Sequence, residues 1–73
     1  MTLDQHASVA RREPGRGMPA LVAALQADPA LVAETRERLA RYAAMDQAGR
    51  MEACWISRTT RETLLAALAA ANN

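Results

Sequence analysis

The stretch DPALVAETRERLARYAAM, residues 28–45, decides the fold. Asp28 is placed to cap a helix by accepting a backbone N–H. Pro29, at the first helical position, gives up no hydrogen bond it would have made. Leu31, Val32, Thr35, Leu39, Tyr42 and Met45 recur at spacings of three and four residues, so they share one helix face. Glu34 stands four residues before Arg38, and Glu37 four before Arg41, the acid-first order that helices prefer. The pattern predicts an amphipathic helix about 27 Å long at a rise of about 1.5 Å per residue. Its apolar stripe needs covering, and the remaining segments must supply the cover.

A chain of 73 residues makes one domain with a small core, and such cores are marginal without a disulfide, a metal or a partner. Cys54 is the single cysteine, so no internal disulfide forms. With His6 as the single histidine, nitrogen and sulfur ligands for zinc are too few. Tyr42 and Trp55 are the only aromatic residues, and alanine is abundant. Alanine favours helix but buries little surface. The expectation is an all-α protein, a small bundle of three to four helices with thin packing, stabilised by association with itself or with another protein. The net charge of +1 gives no general attraction to nucleic acid or to anionic membranes. All nine basic residues are arginine, which favours planar, bidentate contacts to carboxylate or phosphate. No run is long and apolar enough to cross a bilayer, so a cytoplasmic protein without a membrane partner is expected.

Residues 1–17, MTLDQHASVARREPGRG, read as a flexible, disordered N-terminal tail ahead of a helical domain at 18–73. Arginines surround Glu13-Pro14-Gly15, and Leu3, Ala7 and Val9 offer little to bury. Thr2 and Gln5 have the spacing of a short capped turn. Met18 to Ala27 then reads as a short helix opening at Pro19, with Leu21, Val22 and Leu25 inward. Arginines followed by this run are similar to a secretory signal, but the alanine dilution and the distance from Met1 favour a helix. Asp46 to Gly49 marks a break, with Gly49 suited to a left-handed helix cap. Met51, Cys54 and Trp55 are spaced as a helical stripe over residues 50–56, a run short enough to be an extended segment instead, with Trp55 as the anchor that packs the long helix. Thr59 with Glu62 reads as a capping box that opens a last helix, whose apolar face is Leu64, Leu65 and Leu68.

Groupings that carry catalysis are not apparent. The sequence shows no glycine-rich phosphate loop, no base beside Cys54 and no cluster of metal ligands. A non-enzyme without cofactor is expected. Its partner-binding residues would be the large apolar ones on the helix faces, Leu39, Tyr42, Trp55, Leu64 and Leu68.

Two resemblances add to this reading. Residues 56–65, ISRTTRETLL, resemble the turn and recognition-helix start of bacterial helix-turn-helix repressors, with Ile56, Ser57, Arg58, Thr59 and Thr60 on the pattern. Trp55 stands where that pattern has glycine, and Arg61 where it has valine. The resemblance implies DNA contact, with Ser57, Thr59 and Thr60 at phosphates and Arg58 or Arg61 at a phosphate or base edge. Over a longer span, Pro29, Leu31, Val32, Arg36, Leu39, Tyr42, Trp55 and Leu64 resemble a group of short helical bacterial proteins that includes partners of small toxins. Tyr42 replaces a tryptophan of that pattern. This second resemblance implies a protein that acts by binding another protein, as an antitoxin-like inhibitor or regulatory partner. A helix-turn-helix transcriptional regulator is the alternative.

Overall fold

The structure is a computed structural model. It describes residues 1–47 and 55–72, with side chains in the second segment described from Arg58 onward. Within these residues the chain forms four α-helices: α1 (Leu3–Arg12), α2 (Pro14–Ala27), α3 (Pro29–Gln47) and α4 (Trp55–Ala71). The all-α bundle expected from the sequence is observed. The disordered tail is not, because α1 occupies most of it.

The spacing of Thr2 and Gln5 is the start of α1. The Gln5 N–H donates to Thr2 Oγ1 at 3.2 Å, and the Thr2 N–H donates to Gln5 Oε1 at 2.8 Å. Asp4 in the first turn and Arg11 and Arg12 in the last suit the helix dipole. Leu3, Ala7 and Ala10 fall on one face and are buried. Only Glu13 separates α1 from α2, at φ −133° and ψ 73°. Pro14 excludes the helical conformation from the residue before it, then serves as the first residue of α2. The cluster of Pro14, Gly15 and Gly17 is thus a sharp corner between two helices. Helix α2 starts five residues before Pro19, which sits inside it.

Gly17 explains why so polar a segment packs. A Cβ at this position would lie 2.5 Å from the Cα of Ala10. The backbones of α1 and α2 meet here without an intervening side chain, so close approach replaces bulk. A radius of gyration of 11.8 Å, near the value of about 11 Å for a compact chain of this length, fits a docked N-terminus.

Helix α3 follows its sequence pattern more closely. Asp28 Oδ1 accepts the Ala30 N–H at 3.0 Å. Leu31, Thr35 and Tyr42 are buried, and Val32, Leu39 and Met45 pack half-buried against the core. Thr35 satisfies its hydroxyl by donating to the Leu31 carbonyl at 2.8 Å. Arg41 pairs with Glu37 at 2.9 Å as the spacing predicts, but Arg38 turns from Glu34 to form an ion pair with Asp4 of α1.

Helix α4 touches the other three helices and buries Thr60, Leu64 and Ala67. It is already helical at Trp55, so Thr59 does not cap it. Thr59 lies inside the helix, and its carbonyl accepts the Thr63 hydroxyl at 3.0 Å. The expected cap at Gly49, the stripe of Met51 and Cys54, and the packing of the Trp55 side chain all lie outside the described residues.

Candidate functional site

Of the five apolar residues singled out for partner binding, Leu64 is fully enclosed and Tyr42 is 9% exposed. Leu39 and Leu68 are half-buried against the same core, and the Trp55 side chain lies outside the described residues. The four that are described form the chain's own seam. Leu65, grouped with them by sequence, points the other way and is 48% exposed. Around the α4 axis Leu64, Ala67 and Ala71 share the inward side, whereas Leu65 falls with Ala66, Ala69 and Ala70 on the outward side. From Thr63 to Ala71 the helix carries no charged side chain. That run of neutral residues was the sequence signal for an outward face, and the presence of three leucines hid it.

The residues matched to a DNA-reading segment are distributed differently. Arg58 is exposed and Thr59 half-buried. Thr60 is 6% exposed and accepts a hydrogen bond from Arg11 Nη1 at 2.9 Å. Arg61 lies 3.6 Å from Asp46 at the end of α3. The Ser57 side chain is outside the described residues. The Arg11–Thr60 bond joins positions 49 residues apart, bringing the arginine-rich corner of α1 and α2 to the start of α4.

A second polar tie holds the other end of α1. Arg38 donates to the Asp4 carboxylate, and this hydrogen bond holds the Asp4 carboxyl below its ordinary range against the opposing effect of burial, with a lesser contribution from the charge of the guanidinium. The same bond, with a further one to Tyr42, raises Arg38 above its ordinary range despite partial burial. The tie clamps α1 to α3 and leaves no titration near neutral pH.

Surface clefts are present among the described residues. One of about 390 Å³ is lined by Val9, Arg12 and Glu13, and one of about 200 Å³ by Glu34, Glu37, Arg38 and Arg41. Neither joins a nucleophile to a base. Among the described residues, no group of three or more His, Cys, Asp or Glu side chains is placed to hold a metal ion. No buried polar side-chain atom there lacks a partner, and no helix is long and apolar enough to cross a membrane. Compared with known proteins, the chain matches no protein-family model, no curated protein and no solved structure.

Proposed function

We propose that this chain is a small helical interaction module that acts by binding another protein, as an antitoxin-like inhibitor or regulatory partner. The observation that carries the reading is the outward face of α4, where Leu65, Ala66, Ala69 and Ala70 are exposed along a run without charge. A helix facing only water gains from charged side chains on its outer side, and a neutral outer side with a large apolar residue is the pattern of a helix that meets another surface. The contact residues are Leu65 and the alanines around it, since Leu64 and Tyr42 are occupied inside the fold. The helix-turn-helix alternative is less favoured, because Thr60, which that resemblance places at a phosphate, is enclosed and bonded to Arg11.

Affinity capture from the cell that makes the protein tests the reading. The tagged wild type and its Leu65→Glu variant are compared, at low and at high salt, with mass spectrometry of what they retain. A partner kept by the wild type at high salt and lost by Leu65→Glu, with unchanged helix content, is expected. Identical retained proteins in both samples contradict the proposal.

A further inference from the structure

We infer that the end of the bundle where α1 turns into α2 and α4 begins is a binding surface for the phosphate backbone of a nucleic acid, recognised by charge and not by base sequence. Neither half of this surface is sufficient alone. In the sequence, Arg11, Arg12 and Arg16 lie more than forty residues from Arg58 and Arg61. The Arg11–Thr60 hydrogen bond joins the last turn of α1 to α4, and the Arg61–Asp46 ion pair joins α4 to the last turn of α3; Arg12 and Arg16 follow Arg11 across the α1–α2 corner, and Arg58 lies one turn before Arg61, so the five gather toward this end of the fold. They are five of the nine arginines, and the described acids at this end are Glu13, Asp46 and Glu62.

Pairing separates this group from two of the three arginines of α3; the third, Arg36, is exposed and forms no ion pair among the described residues, and it stands alone on that helix. Arg38 is held by Asp4, and Arg41 by Glu37. Arg11 is held in place by Thr60, and Arg61 by Asp46. Arg12, Arg16 and Arg58 are exposed and form no ion pair among the described residues. Arg12 also borders the cleft of about 390 Å³ beside Val9 and Glu13. An exposed guanidinium with its donors free presents the planar fork that phosphate oxygens accept. At the start of α2 the Arg16 and Gly17 N–H groups both donate to the Glu13 carbonyl and are not available to a ligand. The arginine side chains therefore carry the contact. Thr60 is enclosed and so does not enter a groove, which favours backbone contact over base reading. This surface adjoins the neutral face of α4, since Arg58 lies two turns before Leu65 on the same side of that helix, and Arg12 and Arg16, which lie off α4, distinguish the two.

Fluorescence anisotropy of a labelled random-sequence DNA duplex, titrated with the full chain over a range of salt, tests the inference. With three to five guanidiniums at phosphates, log affinity falls with log salt at a slope of about −2.7 to −4.5. Arg12→Ala with Arg16→Ala lowers the slope by roughly two and weakens low-salt binding by roughly tenfold or more. Arg58→Ala lowers it by roughly one, and Arg36→Ala, on α3, leaves it unchanged. Circular dichroism checks that each variant keeps its helix content. No binding at low salt overturns the inference. So does equal loss on Arg36→Ala, or displacement of the duplex by polyglutamate at matched charge, which would assign the surface to an acidic protein segment.

Discussion

The outward faces of α3 and α4 belong to helices of similar length in one small fold, and they are built in opposite ways. On α3 the exposed positions include Glu34, Arg36, Glu37, Arg41 and Asp46, with Arg41 paired to Glu37. On α4, after Glu62, they are Leu65, Ala66, Ala69 and Ala70. Alanine and leucine alone satisfy helix propensity on both helices, so propensity does not require the charges of α3. Charge on an outer face keeps it in water, and its absence leaves a face that loses little when covered. The contrast teaches that burial inside the chain and availability to a partner must be read residue by residue, since Leu64 and Leu65 are neighbours with opposite roles.

The largest test of this contrast removes the cover from the inner side of α4. Deleting residues 1–12 exposes the surface beneath Leu3, Ala7 and Ala10 and frees Thr60 from Arg11. In a chain with so small a core, the truncated protein is expected to lose cooperative thermal unfolding altogether. A melt like that of the full chain would mean that α1 is not part of the folded unit.

Next in size is the neighbouring pair on α4. Leu64→Ala is expected to cost about 2–5 kcal/mol, because it leaves a cavity in a closed site. Leu65→Ala is expected to cost under about 0.5 kcal/mol in the free chain. Urea titrations of both variants give the comparison, and equal losses would erase the distinction between the two sides of the helix.

A pair of glycines at the α1–α2 corner sharpens the account of how α1 docks. Gly17→Ala drives a Cβ into the backbone of Ala10, and is expected to cost about 1–3 kcal/mol through the shift it forces. Gly15 has nothing within 4 Å of an added Cβ, so Gly15→Ala is expected to be neutral or to stabilise by up to about 1 kcal/mol. The sign difference is read from the two denaturation midpoints.

The smallest expected effect concerns acid. Because Arg38 lowers the Asp4 carboxyl, the folded state binds its proton less tightly than the unfolded chain does. The stabilisation is therefore present in full above the ordinary carboxylate value of 3.8 and is lost as pH falls through the lower folded value. The Asp4 side chain is 73% exposed, so solvent screening keeps the contribution small. Asp4→Asn should narrow slightly the gap in urea midpoint between mildly and strongly acidic solution. A wider gap in the variant would reverse the sign of the coupling.

Much of the fold was legible because it rests on side-chain grammar. The Asp28-Pro29 start of α3, its stripe from Leu31 to Met45 and the Glu37–Arg41 pair were all written in spacing. Helix α1 was hidden because its docking depends on backbone proximity at Gly17 and Ala10, and small residues look the same in a loose tail as in a close helix crossing. The start of α4 was misplaced because Thr59 and Glu62 satisfy a capping pattern that a threonine inside a helix mimics when its carbonyl serves a later hydroxyl. The outward turn of Leu65 was hidden because Leu64, Leu65 and Leu68 fit within one arc of about 100° of a helix, and only the packed neighbours choose which edge of that arc is left out.

The most direct test of the central claim, that the neutral face of α4 is where a partner binds, is a calorimetric titration of the purified partner with wild type and with Leu65→Glu. The claim predicts that Leu65→Glu lowers affinity by about 100-fold or more, by stranding a charge in an apolar contact, while its urea midpoint stays near that of the wild type. Binding unchanged in Leu65→Glu but lost on reversing Glu37 and Arg41 would contradict it and move the interface to α3.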